Sequence, residues 1–325
     1  MSANILKAPL QSILATVIMQ FIQEKKACGY QYNEEIRQLR LFDLYLLDEA
    51  LTRVELPRTT VRNWLTKRPH ESPRTHQHRA SIVRQLAEFM VRQDLFAYIP
   101  EKGTTDKCSI SFMPHVLSHA EVQRLFYAVD NLHPTARSPL RHIVMPEIFR
   151  LLYNCGFRVN EVLKLRIQDV DLNQGIITVR QGKFGKDRMV PPALPIIKRL
   201  RIFDTYMKKE NKRDFFFTTL NGSAWGHRSV YLMFRELLLA CGIPHSGRGG
   251  GPRVHDLRHT FAVHALIRWY RVGADIDAKL PLLAAYMGHR DVSGTQQYLH
   301  LTAELFPEIN KRTNSDFNDV IPTEI

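Results

Sequence analysis

The chain has 325 residues, 44% of them hydrophobic and 24% charged, with a formal net charge of +13. That length favours two domains, the composition excludes disordered and fibrous classes, and so basic a balance points to a polyanionic partner. The cysteines Cys28, Cys108, Cys155 and Cys241 form no Cys-x-x-Cys pair, which excludes a zinc ribbon or redox motif and fits a reduced, intracellular setting.

The first predicted helix runs from Pro9 to Lys26, with Leu10, Ile13, Leu14, Val17, Ile18, Phe21 and Ile22 on one face and Gly29 as its stop. Its apolar run, Ile13 to Ile22, is interrupted by Thr16 and Gln20 and is too short for a membrane span. A second helix is expected over Asn33 to Leu51, capped by Asn33, with Glu34 and Glu35 in its first turn. A short third helix spans Thr60 to Thr66. Ser72-Pro73 opens a fourth that reaches about Gln93 and buries Ile82, Val83, Leu86, Phe89 and Met90.

Arg58, Arg62, Lys67, Arg68, Arg74, Arg79, Arg84 and Arg92 fall in this stretch, opposed by Glu71 and Glu88 alone. Such a bias reads either as a solvated helix face or as a surface that tracks phosphates; in so basic a chain the second reading is favoured.

Periodicity is lost from Tyr98 to Leu117, through Pro100, Gly103 and Pro114, and the linker is placed at 101–117 between domains at 1–100 and 118–310. Ser118 to Glu121 is a capping box. A long helix follows over Leu140 to Cys155, stopped by Gly156, and a short one over Asn160 to Leu165. Ile176 to Val179 and Arg188 to Val190 read as a hairpin whose tip carries Lys183 and Lys186. Helices are expected over Leu194 to Lys208 and Val230 to Cys241. The run from Gly247 to Gly251 lacks the Lys-Ser/Thr ending of a P-loop and reads as a connector. Helices return through His255 to Tyr298, with an amphipathic segment from Leu301 to Ile309 and a polar tail at 311–325. The fold class expected is mainly α with a small β-sheet.

Chemistry concentrates in the last third. His255-Asp256-Leu257-Arg258-His259, Gly288-His289 and Tyr298 follow in order, and Arg158 lies in Gly156-Phe157-Arg158-Val159-Asn160-Glu161 at a helix junction, with Glu161 placed to hold it. Two arginines offer planar forks to non-bridging phosphate oxygens, histidine and lysine move protons, and tyrosine can be a nucleophile. His255, His259, His264, His289 and His300 can also be read as a metal cluster. The acidic base that accompanies helical zinc histidines is missing, so no metal is expected.

The ordered set Arg158, Lys183, His255, Arg258, His289 and Tyr298 resembles the tyrosine recombinase (phage integrase) family over about Ser118 to Ile309. The resemblance implies a helical N-terminal core-binding domain that clamps DNA, and a mostly helical catalytic domain. It implies that Tyr298 attacks a DNA phosphodiester to form a 3′-phosphotyrosine, with Arg158, Arg258 and His289 on the phosphoryl oxygens. His255 would assist the tyrosine proton, and Lys183, or Lys186 beside it, would protonate the 5′ leaving oxygen. Asp256 is expected to orient His255 or Arg258, and His259 to pack. No cofactor and no ATP are called for. Partners implied are double-stranded DNA with specific recombination sites, further copies forming a tetramer on synapsed DNA, and accessory recombinases or DNA-bending proteins; no membrane is involved, and the setting is the bacterial cytoplasm, at the nucleoid. The competing readings are a type IB topoisomerase and a DNA-binding regulator without catalysis.

Overall fold

The structure is a computed structural model and describes residues 9–49, 51–103, 114–182, 185–208, 213–245, 247, 251–289, 291–296 and 298–299. The chain divides into two compact units, Met1–Phe112 and Met113–Ile325. Mostly helical architecture with one small sheet is the fold class expected from the sequence.

Among its described residues the first unit packs four helices: α1 (Ala15–Ala27), α2 (Asn33–Asp48), α3 (Arg58–Leu65) and α4 (Pro73–Arg92). Their apolar faces meet at Phe21, Phe42, Trp64, Leu86 and Phe89. Several expected edges shift. Helix α1 begins at Ala15 rather than Pro9, because the Asp43 carboxylate captures the backbone N–H groups of Gln11 (2.8 Å) and Ser12 (3.1 Å) ahead of the first turn. Tyr32, with φ 52°, stands at the N-cap of α2 in place of Asn33. Ser72 caps α4 as expected, accepting from the Thr75 N–H at 3.1 Å.

The basic stretch divides. Arg58, Arg62, Lys67, Arg68 and Arg74 are exposed and Arg84 is half-buried, its guanidinium donating to the carbonyls of Pro100 and Glu101 at 2.7 Å. Arg79 is the correction. It is 2% exposed, donates to the carbonyls of Trp64 and Thr66, and forms a two-point ion pair with Glu71. Matched at two points by the Glu71 carboxylate, this guanidinium ties α3 to α4 and does not join the exposed basic face.

In the second unit, α5 (His119–Asp130) starts at the Ser118–Glu121 capping box. Helix α6 (Arg141–Asn154) is the central strut, buried nearly all round, with Val144, Ile148, Phe149, Leu151 and Leu152 in the core. After the turn at Gly156 comes α7 (Val159–Leu163). Strands β1 (Val170–Asp171), β2 (Ile176–Val179) and β3 (Arg188–Val190) form one antiparallel sheet in that order, Ile177 facing Val190 and Val179 facing Arg188. The two-residue β1 went unforeseen, being too short to show alternation. Helices α8 (Leu194–Lys208) and α9 (His227–Ala240) complete the main core.

Helices α10 (Asp256–Arg271) and α11 (Ile276–Met287), with the single turn α12 (Ser293–Gln296), enclose a separate apolar cluster of Val263, Leu266, Ile267, Leu280, Leu283 and Met287. Tyr298 belongs to that cluster. Among the described residues no helix is long and apolar enough to cross a membrane.

Candidate active site

The site is organised by the C-terminal end of α11. Three successive backbone carbonyls there each accept from a different arginine: Tyr286 from Arg188 Nε at 3.0 Å, Met287 from Arg258 Nη2 at 2.7 Å, and Gly288 from Arg158 Nη2 at 3.2 Å. Carbonyls left unpaired at a helix end carry partial negative charge, which is what lets three cations gather without an acid for each. Gly288 closes the helix with φ 70°, the left-handed conformation that favours glycine.

Each arginine arrives by a different local device. Arg158 sits at the head of α7, and the Glu161 carboxylate accepts both the Arg158 backbone N–H (2.9 Å) and its Nη1 (2.8 Å). Gly156, with φ 61°, makes the preceding turn; a Cβ there would lie 2.5 Å from Phe261 Cδ1. Arg258 projects inward from α10, 1% exposed, and also donates to the Gly156 carbonyl. Arg188 comes from β3 and grips Glu161 at two points, 3.0 and 2.8 Å.

The electrostatics follow from this crowding. Burial by itself would raise Glu161, but Arg188 and Arg158 outweigh it and hold the carboxyl at about 2. Burial first, and Arg158 second, push Arg258 down to about 9. The site therefore stores positive charge at a cost that an anion placed between Arg158 and Arg258 would relieve. His289, in the loop beyond α11, has its Nδ1 on the Thr295 hydroxyl at 2.7 Å, which leaves Nε2 for a ligand. Burial, then Arg258 and Arg158, hold it down to about 4. His255 is pushed down to about 4 by burial, then by His259 and Arg258. Both imidazoles are neutral at pH 7.

Tyr298 is 1% exposed, its backbone N–H donating to Thr295 at 3.0 Å. Burial raises its phenol, while Arg258 and Arg158 pull the other way. Its hydroxyl lies 3.0 Å from Nδ1 of His259.

Of the residues singled out in the sequence, Arg158, Glu161, Arg258, His289 and Tyr298 converge here, with His255 at the start of the same helix as Arg258. Asp256 does not orient His255 or Arg258 through a hydrogen bond; its carboxylate accepts the Arg253 backbone N–H (2.9 Å) and guanidinium (3.0 Å), fixing the entry to α10. Lys183 and the segment from Leu301 onward lie outside the described residues; Lys186 is exposed on the hairpin. Two residues were missed. Arg188 had a signal, since strand alternation puts it on the same face as the buried Val190. His259, expected to pack, instead meets the tyrosine hydroxyl. Among the described residues no group of His, Cys, Asp or Glu is placed to hold a metal ion.

Comparisons with known proteins give the family of the chain. Residues 115–304 match the model of the phage integrase family. The integrase/recombinase-like protein y4rB of Sinorhizobium fredii is 28% identical over 320 residues, covering 95% of this chain and 99% of that one. Tyrosine recombinase XerA of Pyrococcus furiosus is 30% identical over 241 residues, 69% of this chain and 73% of the relative. In fold, the chain is similar to XerH site-specific recombinase bound to a palindromic difH substrate, with a TM-score of 0.61 at 19% identity over 95% of this chain and 94% of the other. A lambda integrase dimer bound to a COC′ core site gives a TM-score of 0.61 at 13% identity, over 87% and 94%. With the family model spanning more than half of the sequence, the chain belongs to the phage integrase family and is a tyrosine recombinase, an enzyme that cleaves and rejoins DNA strands.

Proposed function

We propose that Tyr298 is the nucleophile of a site-specific recombination reaction on double-stranded DNA. The observation that carries this reading is the seating of Arg158 and Arg258 on adjacent carbonyls, Gly288 and Met287, with Tyr298 packed beside them. Two guanidinium forks and the free Nε2 of His289 bind the non-bridging oxygens of one phosphodiester and stabilise the charge of its transition state. Tyr298 attacks phosphorus and becomes joined to the 3′ phosphate; the 5′ oxygen leaves with a proton from Lys183. His255 adds a second neutral imidazole at the head of α10. A phosphotyrosine keeps the free energy of the broken bond, so a 5′ hydroxyl from another strand reverses the step without ATP.

The helical first unit contacts the duplex through Arg58, Arg62, Lys67, Arg68, Arg74 and Arg84, giving salt-dependent affinity. The segment from Leu301 to Ile309 docks onto a neighbouring copy, so that four copies close a cyclic synapse, with accessory recombinases or DNA-bending proteins as further partners. The reaction takes place on DNA in the cytoplasm, at the nucleoid, and serves movement of a DNA element.

The test is a denaturing gel after incubation with a nicked duplex that the protein itself selects from a random-sequence pool. Wild-type chain is expected to form a covalent protein–DNA adduct and Tyr298→Phe none. An adduct that persists in Tyr298→Phe removes Tyr298 as the nucleophile.

A further inference from the structure

Two imidazoles of α10 stand near the tyrosine, and the hydrogen bond belongs to the second. His259 places Nδ1 3.0 Å from the Tyr298 hydroxyl, the two ring centroids 5.5 Å apart. His255, one turn earlier, meets the His259 ring edge-on at 4.8 Å. His289 has its Nδ1 engaged by Thr295.

The direction of the His259–Tyr298 hydrogen bond is set by the tautomer of the ring. The Arg258 guanidinium lies near the phenol and donates through Nη1 and Nη2 to the carbonyls of Gly156 and Met287. With Nδ1 of His259 as the unprotonated nitrogen of a neutral ring, the O–H of Tyr298 donates to it. The environment supplies that state. Burial pushes His259 down to about 4, with Asp256 pulling upward and Arg253 and Arg258 downward. The ring is unprotonated at neutral pH and already aimed at the proton it would take.

We propose that His259 is a catalytic residue, the acceptor of the Tyr298 proton as the phenol oxygen attacks phosphorus. This rests on Tyr298 being the nucleophile. In the step, the O–H bond of Tyr298 breaks and an N–H bond forms at Nδ1 of His259. The bond from the tyrosine oxygen to phosphorus forms, the bond from phosphorus to the 5′ oxygen breaks, and that oxygen takes a proton from the leaving-group acid. In rejoining, the proton on His259 returns to the tyrosine oxygen. A phosphate held between Arg158 and Arg258 offsets the positive field that Arg253 and Arg258 exert on His259. His259 therefore gains basicity when substrate is bound. His255, His289 and Asp256 are the remaining titratable groups around it.

The experiment measures single-turnover adduct formation on a suicide duplex, taken from the same random-sequence selection and nicked so that the cleaved 5′-hydroxyl fragment dissociates. His259→Asn keeps a hydrogen-bonding atom near Nδ1 but cannot accept a proton. It is expected to lower the rate about 100-fold, the size usual for a lost general base, with DNA affinity within about twofold. Replacing the bridging 5′ oxygen by sulfur, which leaves without protonation, should not restore the rate; a fluorinated, more acidic tyrosine at position 298 should restore at least about tenfold of it. A wild-type rate in His259→Asn, rescue by sulfur, or no gain from the fluorinated tyrosine overturns the proposal. For the unmutated protein, ¹⁵N spectra of the histidine rings give an independent reading, since a protonated Nδ1 on His259 at neutral pH would also overturn it. Absence of a wild-type adduct defeats the tyrosine reading itself, whereas a normal wild-type adduct with an unaffected His259→Asn defeats this inference alone.

Discussion

Arg188 and Glu161 form a two-point ion pair between β3 and α7, at 3.0 and 2.8 Å, with side chains only 11% and 8% exposed. The same carboxylate holds Arg158, so the strand that returns from the lysine-bearing hairpin is tied, through one acid, to an arginine proposed to bind the phosphate.

Arg188→Ala removes the larger share of what holds Glu161 ionised. Breaking a buried pair on one side costs about 3–5 kcal/mol, which urea unfolding would measure, and adduct formation should fall with it as Arg158 loses its brace. Arg188→Lys is expected to fall between, because a single ammonium cannot reproduce the fork. The pH dependence has a definite sign. Glu161 is depressed to about 2 in the folded chain, against about 4.3 unfolded. Its contribution is complete above the unfolded value and is lost as pH falls through that window toward about 2. Arg188→Ala should flatten this acid limb.

Gly288→Ala tests the carbonyl row. Gly288 has φ 70°, and an added Cβ would lie 2.9 Å from Nη1 of Arg188. Gly273, at φ 68° with nothing within 4 Å of its Cβ position, supplies the control. Gly273→Ala should cost only the left-handed strain, about 1 kcal/mol. Gly288→Ala should cost more and also slow adduct formation. Equal unfolding midpoints for the two variants would show that the contact with Arg188 carries no energy.

Much of this was legible in the sequence, for identifiable reasons. Helices with an explicit cap are the clearest: Pro73–Arg92 after Ser72 comes out within a residue or two, and the helix after Ser118 starts at its capping box. Arg158, Arg258, His289 and Tyr298 were legible through their order and context. What was hidden depends on contacts between segments far apart in the chain. The capture of Ser12 by Asp43 moves a helix start, and the meeting of His259 with Tyr298 depends on how α10 packs against the loop beyond α12. The charge run from Arg58 to Arg92 misled at Arg79 because composition does not say which side of α4 faces Trp64 and Glu71.

That division of the basic stretch predicts two different phenotypes. Arg79→Ala leaves Glu71 buried without its partner, so it should lower stability by about 3 kcal/mol or more, while the salt dependence of DNA binding by the folded chain stays unchanged. Arg62→Ala and Arg74→Ala, at exposed positions, should leave stability within about 0.5 kcal/mol yet each reduce the slope of log affinity against log salt by about 1. A reduced slope in Arg79→Ala would return that residue to the DNA surface.

The histidines give the chain an acid sensitivity of their own. His255, His259, His264 and His289 are each held down to about 4, burial being the largest cause in every case. In the unfolded chain each titrates near about 6.5. Between these values the unfolded state takes up protons that the folded state does not, so stability must fall as pH drops from 6.5 toward 4. His264 isolates part of the effect, since it stacks on His119 at 3.9 Å and meets the Tyr153 hydroxyl through Nδ1 at 2.8 Å, apart from Arg158, Arg258 and His289. His264→Gln should shallow the decline of unfolding free energy with pH over that window while sparing adduct formation at pH 7. The whole-chain slope, measured by urea unfolding at half-unit pH steps, should exceed that of a chain whose histidines titrate normally. A flat profile between pH 6.5 and 4 would mean that these imidazoles take up protons in the folded site, and that the neutral form required of His259 and His289 is not imposed by the fold.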